Sequence, residues 1–262
     1  MNKSIRISFL LVAALALGSG DTVFARKKKA AAKDKETKKE TPYEKLFKGK
    51  ACETVKGLLT IHKTDNKVYF EIPFNLLNKD MLLGSTISET TSNWFGSVGE
   101  KPTDPLHVVF TRTDSIISLR QVNTSYETDV ESLRQRIAES TRPAVMHNFG
   151  IQAYNPDSTA VVVDVSEFFL ADNEQMPPFS PYAPILGGGR WIVKEFKKDK
   201  SQLGKVKAFD DNVSVQSSLS YEVNVRDGRY YYIYKLPFTA VLTRSFVLLP
   251  EEPMRPRFAD PR

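Results

Sequence analysis

The run Ala160-Val161-Val162-Val163 constrains this chain more than any other segment. Successive side chains of a strand point to opposite faces, so a run that is apolar at every position must be covered on both sides. That requirement places it inside a sheet rather than at an edge. Asn155-Pro156-Asp157-Ser158 precedes it as a turn, because Pro156 presets φ and Asn155 and Asp157 can bond back to the local backbone. Before the turn, the residues from Arg142 to Tyr154 read as a second strand. Val145, Phe149 and Ile151 share one of its faces, and Met146, Gly150 and Tyr154 share the other. One turn of helix is expected before Leu170. No residue in this central stretch is an obvious catalyst.

The rest of the chain follows the same pattern, and the expected fold class is mainly β, with antiparallel sheets and hairpins and a few short helices. Pro42 to Phe47 predicts a short helix, with Thr41 as N-cap, Pro42 at the first position and Gly49 as its end. Thr54 to His62 and Val68 to Ile72 read as strands around the turn Lys63-Thr64-Asp65-Asn66, and Met81 to Ile87 as another. Together they define a small β meander over 42–95. Gly96, Gly99, Pro102 and Pro105 break the chain into a loop. A larger antiparallel β domain is expected over 106–250. It holds a hairpin turning at Thr113-Asp114, a helix over Val130 to Glu139 with Asp129 as cap, and the central hairpin. Asp172 to Arg190, with four prolines and Gly187-Gly188-Gly189, reads as a flexible crossing. Asp227-Gly228 suits a two-residue hairpin turn. With it, Val225 faces Tyr230, Val223 faces Tyr232, Tyr221 faces Tyr234 and Leu219 faces Leu236. The resulting ladder is either a packed cross-strand aromatic face or a surface for a sugar or a base. Tyr230, Tyr232 and Tyr234 are therefore the candidate ligand-binding residues.

Both ends of the chain differ from the middle. Residues 1–25 have the form of a secretory signal: Lys3 and Arg6, an apolar run from Ile7 to Leu17 too short to span a bilayer, and Val23-Phe24-Ala25 as a cleavage site after Ala25. An amino-terminal anchor helix is the alternative. The expected location is exported, either periplasmic or secreted, and no later stretch has the length of a membrane span. Residues 26–41 are a charged, low-complexity segment that cannot bury enough apolar surface to fold. The net charge of +6 arises in the first 40 residues, so 41–262 balance to zero. A nucleic-acid-binding domain carries its charge on a folded face, which argues against that class of partner. Residues 251–262, with their prolines and charges, look like a linker.

The search for chemistry is sparse. Cys52 is the single cysteine, so no intramolecular disulfide can form. His62, His107 and His147 do not have the i, i+4 spacing of a zinc helix. No serine lies in a G-x-S-x-G elbow. Glu71, Asp80, Asp164 and Glu167 are the acids nearest to apolar strands, and Asp164, which ends the apolar run, is expected to be the most buried.

Three stretches taken together carry a resemblance. They are Tyr69-Phe70-Glu71-Ile72-Pro73 followed by Leu76 to Leu83, Phe149 to Asp157 followed by Val162-Val163-Asp164-Val165, and Pro253-Met254-Arg255-Pro256-Arg257-Phe258-Ala259-Asp260. In this order they resemble the amino-terminal, non-catalytic region of a family of large exported bacterial zinc-dependent metallopeptidases. In that family two β-rich domains of uncharacterised function precede a metzincin-like protease domain. The resemblance covers residues 43–262. It implies a downstream metallopeptidase domain in cis as partner, and zinc for the full-length family only. The H-E-x-x-H motif that would bind it is missing from this chain, so no catalytic residue, zinc ligand or cofactor is carried over, and no activity is expected from this chain alone. A stand-alone exported module binding a glycan or a peptide is the alternative.

Overall fold

The structure is a computed structural model, described here over residues 40–123 and 130–251. The segment expected to be a signal, most of the basic segment, Asp129 and nearly all of the linker-like end lie outside the described residues. The elements in chain order are α1 (Pro42–Phe47), β1 (Glu53–Val55), β2 (Thr60–Lys63), β3 (Val68–Pro73), β4 (Asp80–Thr90), β5 (Leu106–Thr113), β6 (Ile116–Gln121), α2 (Glu131–Ser140), β7 (Ala144–Tyr154), β8 (Ala160–Asp164), α3 (Ser166–Phe169), β9 (Trp191–Phe196), β10 (Gln202–Ala208), β11 (Asn212–Asp227) and β12 (Tyr230–Leu248). The fold is mainly β, as the patterning requires.

One antiparallel sheet of 12 strands holds them in the order β1-β2-β3-β8-β7-β6-β5-β4-β12-β11-β10, with β9 paired to β11 off this path. The loop between β4 and β5 does not separate two sheets. β3 pairs with β8, and β4 pairs with β12, so strands from 42–95 and 106–250 interleave. The sheet curls until its ends meet: the Leu58 N–H donates to the Phe209 carbonyl at 2.6 Å. Gly57 permits this approach, because a Cβ there would stand 2.4 Å from the Phe209 oxygen. The same glycine interrupts the strand expected over Thr54 to His62, which becomes β1 and β2 folded against each other.

The curled sheet encloses a main core to which Ile61, Phe70, Leu83, Phe110, Leu119, Phe149, Val163, Val215 and Phe246 contribute from nine strands. Val161 and Val163 of β8 face this interior. Val162 faces the other way and is covered by Tyr43, Leu46 and Phe47 of α1. This is the two-sided cover that an all-apolar strand demands. The start of α1 is set by a capping box. The Glu44 N–H donates to Thr41 Oγ1 at 3.2 Å, and the Thr41 N–H donates to Glu44 Oε2 at 2.8 Å.

A second core forms where β11 and β12 run beyond the main one. Leu219, Tyr221, Val223, Phe238 and Leu242 pack there against Phe95, Ala183 and Ile185. The segment from Asp172 to Arg190 is thus a cover rather than a bare crossing, with Met176, Ala183 and Ile185 buried. On β7, Val145 is exposed and Met146 turns toward the core, the reverse of the expected faces near that end. A register shift between Leu119 and Arg120 in the β6–β7 ladder accounts for it.

The largest departure concerns the tyrosines. The hairpin turn lies at Gly228-Arg229, so Asp227 pairs with Tyr230. Arg226 stays in that register opposite Tyr231, and two register shifts after it put Val225 opposite Ile233 and Val223 opposite Leu236. Lys235 takes φ +52, and its N–H donates to Asn224 Oδ1 at 2.9 Å, which holds the bulge in place. Ile233, Leu236 and Phe238 therefore fill the inner face, and the packed tyrosine ladder does not form.

Candidate functional site

Two places combine exposed chemistry with defined geometry. The first is a cleft of about 480 Å³ beside the central hairpin, with Lys67, His147, Asp164, Ser166, Glu167 and Lys198 in its wall. Asp164 stands at its centre, half-buried as the residue that ends β8. Lys67 Nζ donates to its Oδ2 at 2.6 Å, and Ser166 donates to its Oδ1 from both backbone (3.0 Å) and hydroxyl (2.5 Å). Burial pushes the Asp164 carboxyl up, but the bonds from Lys67 and Ser166 together outweigh it and hold the carboxyl below its ordinary value. Ser166 Oγ also accepts from the Val68 N–H at 2.9 Å, which ties α3 to β3. That hydroxyl is committed to the fold. Glu167 pairs with Lys198 at 3.2 Å. His147 lies against the rings of Phe149 and Phe168, and burial lowers its pKa against a smaller opposing pull from Glu167. A neutral imidazole between phenyl rings and two lysine-paired carboxylates is suited to holding a polar group.

The other acids singled out in the sequence lie elsewhere. Asp80 Oδ1 is 2.8 Å from His107 Nε2. Glu71 takes part in a buried cluster on the outer face of the sheet. Its Oε2 accepts from Tyr43 Oη at 2.9 Å and lies 3.0 Å from His62 Nε2, while His62 Nδ1 is 3.0 Å from Thr54 Oγ1. Burial first, then the Glu71 carboxylate, pushes the Tyr43 hydroxyl up to about 12. These bonds fasten α1 and β1 to β2 and β3. Cys52 Sγ is 3.8 Å from Thr54 Oγ1 at the edge of this cluster. The three histidines thus have three separate settings, and no group of three His, Cys, Asp or Glu converges among the described residues.

The second place is the tip of the β11–β12 hairpin. Tyr230, Tyr232 and Tyr234 are 81%, 54% and 60% exposed, and they are joined by Tyr231 and by Trp191 of β9. The register aligns Trp191, Arg226 and Tyr231 across three strands. The Arg226 guanidinium lies 4.1 Å from the Tyr231 ring centroid, and that of Arg190 lies 3.8 Å from the Tyr232 ring. Arg190 is also held by Asp227 at 3.3 Å. Tyr231 and Tyr234 meet edge to face with centroids 4.9 Å apart. Tyr230, Tyr232 and Tyr234 therefore share one end of the molecule without stacking on one another. Trp191, Tyr231, Arg190 and Arg226 complete the surface. Alternation alone could not reveal these four, because two bulges turn both parities of β12 outward. The available signal was compositional: an aromatic and cationic cluster around one tight turn.

Among the described residues no helix is long and apolar enough to cross a membrane. Neither a curated protein nor a solved structure matches the chain. Residues 40–90 match the model of a domain of unknown function, DUF5118, and residues 99–262 match that of a second, DUF5117. The second match spans more than half of the sequence, and the chain belongs to the DUF5117 family.

Proposed function

We propose that this chain is the non-catalytic amino-terminal region of an exported zinc-dependent metallopeptidase, and that it folds against the protease domain to support or shield its cleft. The observation that carries this reading is the hairpin tip. Trp191, Tyr231, Tyr232 and Tyr234 are rigid, amphipathic and outward-facing on a framework whose interior is already filled. Exposed aromatics braced by arginines are the residue types that anchor protein interfaces. The sequence resemblance supplies the partner, a metallopeptidase domain in cis, and the paired-off carboxylates of the cleft agree with a supporting rather than a chemical role. The reading is tested on the reading frame that encodes this chain. It should continue into an H-E-x-x-H segment, and the two parts, produced separately, should associate in titration calorimetry. Association should weaken at least tenfold in a Trp191→Ala/Tyr231→Ala variant. A frame without that segment, or parts that fold and ignore each other, overturns it.

The alternative is a stand-alone exported module that holds a glycan or peptide on Tyr230, Tyr232 and Tyr234. The stacking of Arg190 on Tyr232 beside a free Tyr230 ring favours it. It predicts retention on a polysaccharide or peptide matrix that Tyr232→Ala abolishes with the fold intact.

A further inference from the structure

β7 has 11 residues, and β8 beside it has 5. β6 pairs with β7 from Ala144 to Gly150, whereas β8 pairs with it only from Ile151 to Tyr154. From Ala144 to Gly150, the flank of β7 that faces away from β6 therefore has no strand on it. The cause is local. Asp164 Oδ1 accepts from the Ser166 N–H at 3.0 Å and closes a turn, and Val165 takes φ −106 and ψ 6, outside the strand region. The chain leaves the sheet there and enters α3, whose Phe168 and Phe169 fill the main core. The lane that a longer β8 would follow is the cleft of about 480 Å³, with β7 on one side and Asn66 and Lys67 on the other.

This flank offers main-chain hydrogen-bonding groups. The Ile151 N–H donates to the Ser115 carbonyl at 2.9 Å, so Ile151 turns its peptide groups toward β6. Successive residues of an antiparallel strand turn theirs to alternate flanks. Phe149 thus also points to β6, and Gly150 and Asn148 point away from it. The pairing of Ile151 with Val163 brings the end of β8 level with Gly150. Asn148 lies beyond that end, and its N–H and C=O face the cleft. Both Asn148 and Gly150 are exposed. An open edge of this kind is a template for another chain. Elsewhere the sheet masks its edges: its two ends meet at Leu58 and Phe209, and Pro237 interrupts β12 where β4 no longer flanks it.

The wall of the cleft suits a main chain better than an ion. Its charges are matched within the wall, Lys67 with Asp164 and Lys198 with Glu167, so no net charge is asked of a ligand. His147 rests on the rings of Phe149 and Phe168, and its ring nitrogens meet no hydrogen-bond partner among the described residues. Leu170 adds an apolar contact. A chain laid along Asn148 would turn alternate side chains toward His147 and Leu170 and the others to solvent. A small apolar or hydroxyl-bearing side chain fits the inward positions.

We propose that this cleft is a strand-addition site, where an extended, uncharged segment of another polypeptide pairs with β7 at Asn148 and continues the lane of β8. Main-chain bonds supply the affinity in this mode, and pockets for alternate side chains supply the selectivity. The site is separate from the hairpin tip and does not depend on the partner proposed there.

The test pans the full chain against a phage-displayed library of random heptapeptides. The selected peptides, resynthesised with blocked ends, are then followed by fluorescence anisotropy and amide hydrogen exchange. One main-chain bond is worth about tenfold in affinity. N-methylation at alternate peptide nitrogens should therefore weaken binding about tenfold or more in one register and leave it unchanged in the other. A bound peptide should slow exchange of the Asn148 amide and leave the Phe149 amide, already turned to β6, as it was. Asn148→Pro removes the open N–H without touching the β6 ladder and should weaken binding about tenfold, while Tyr232→Ala at the tip should not. The exchange measurement on the wild-type chain decides the matter even if Asn148→Pro fails to fold. No recovered peptide, binding without slower exchange at Asn148, equal response to N-methylation in both registers, or loss of binding in Tyr232→Ala each overturns the proposal.

Discussion

The two halves of the β11–β12 hairpin are built from the same two strands and differ in their neighbours. From Asn212 opposite Val247 to Val223 opposite Leu236 the register between them is unbroken. β10 flanks much of this part on one side and β4 on the other, and its lower end opens on the main core. Beyond Val223 only β9 flanks the pair, and the register slips twice within a few residues. A one-residue slip moves side chains from one face to the other, so it is resisted where a buried face specifies it. At the tip, with one edge of β12 open, the slip is tolerated and exposes Tyr231 and Tyr232 together. The body of the molecule is thus specified by apolar complementarity, and the arm presents what the body cannot afford to expose.

The contrast can be broken at its strongest point first. Phe246 meets the rings of Phe70, Phe110 and Phe169 in the main core. Phe246→Ala should cost about 3–5 kcal/mol in denaturant unfolding and lower hydrogen-exchange protection throughout the sheet. Phe238→Ala, at the same depth in the second core, should instead release amides of β9 and of residues 172–190 while β3 and β8 stay protected. Loss of protection in β8 from Phe238→Ala would show that body and arm are one cooperative unit.

Gly57→Ala attacks the closure of the sheet rather than its filling. The added methyl meets the Phe209 backbone, which cannot rotate away, so about 1–3 kcal/mol should be lost. A stability equal to wild type would mean that the two ends of the sheet do not need to touch.

Acidification should act on the cleft beside the body and spare the arm. His147 has its folded pKa below the ordinary 6.5, so the unfolded chain binds more protons and stability falls as pH drops below that value. Asp164 has its folded pKa below the ordinary 3.8, so its contribution is present above that value and is lost as pH falls through the lower one. His147→Gln should remove the first step of a stability–pH curve and leave the second. Lys67 is more than half exposed, so Lys67→Met should cost less than about 1 kcal/mol at neutral pH and shift the second step upward.

The smallest effect belongs to the tip. Tyr231→Ala should change stability by within about 0.5 kcal/mol, because its ring is half exposed and lies outside both cores. A larger loss in thermal unfolding would make the tip part of the framework and remove it as a free surface.

Several features were legible in local sequence because they rest on local physics. Ala160–Val163 had to be covered on both sides, and β8 lies between β3 and β7 with α1 above it. Thr41, Pro42 and Glu44 specify the start of a helix by bonds within one turn. Asp114 takes φ +46 at the expected β5–β6 turn, where a short polar side chain tolerates it. The cleft was half visible, since Asp164, Ser166 and Glu167 lie within four consecutive residues. Their lysines were not, because Lys67 reaches Asp164 across 97 positions of sequence.

What the sequence by itself determined, then, is most of the strands, though not β9 or β10, the turns between several of them and the strand that must be central, since periodicity and turn chemistry are properties of neighbouring residues. Tertiary structure decided which strands pair, that the sheet closes at Gly57, that Arg244 is fully buried against the Phe168, Phe169 and Met176 carbonyls, and which tyrosines face outward. Those outcomes depend on partners distant in the chain and on register, where one extra residue in β12 reverses every face that follows.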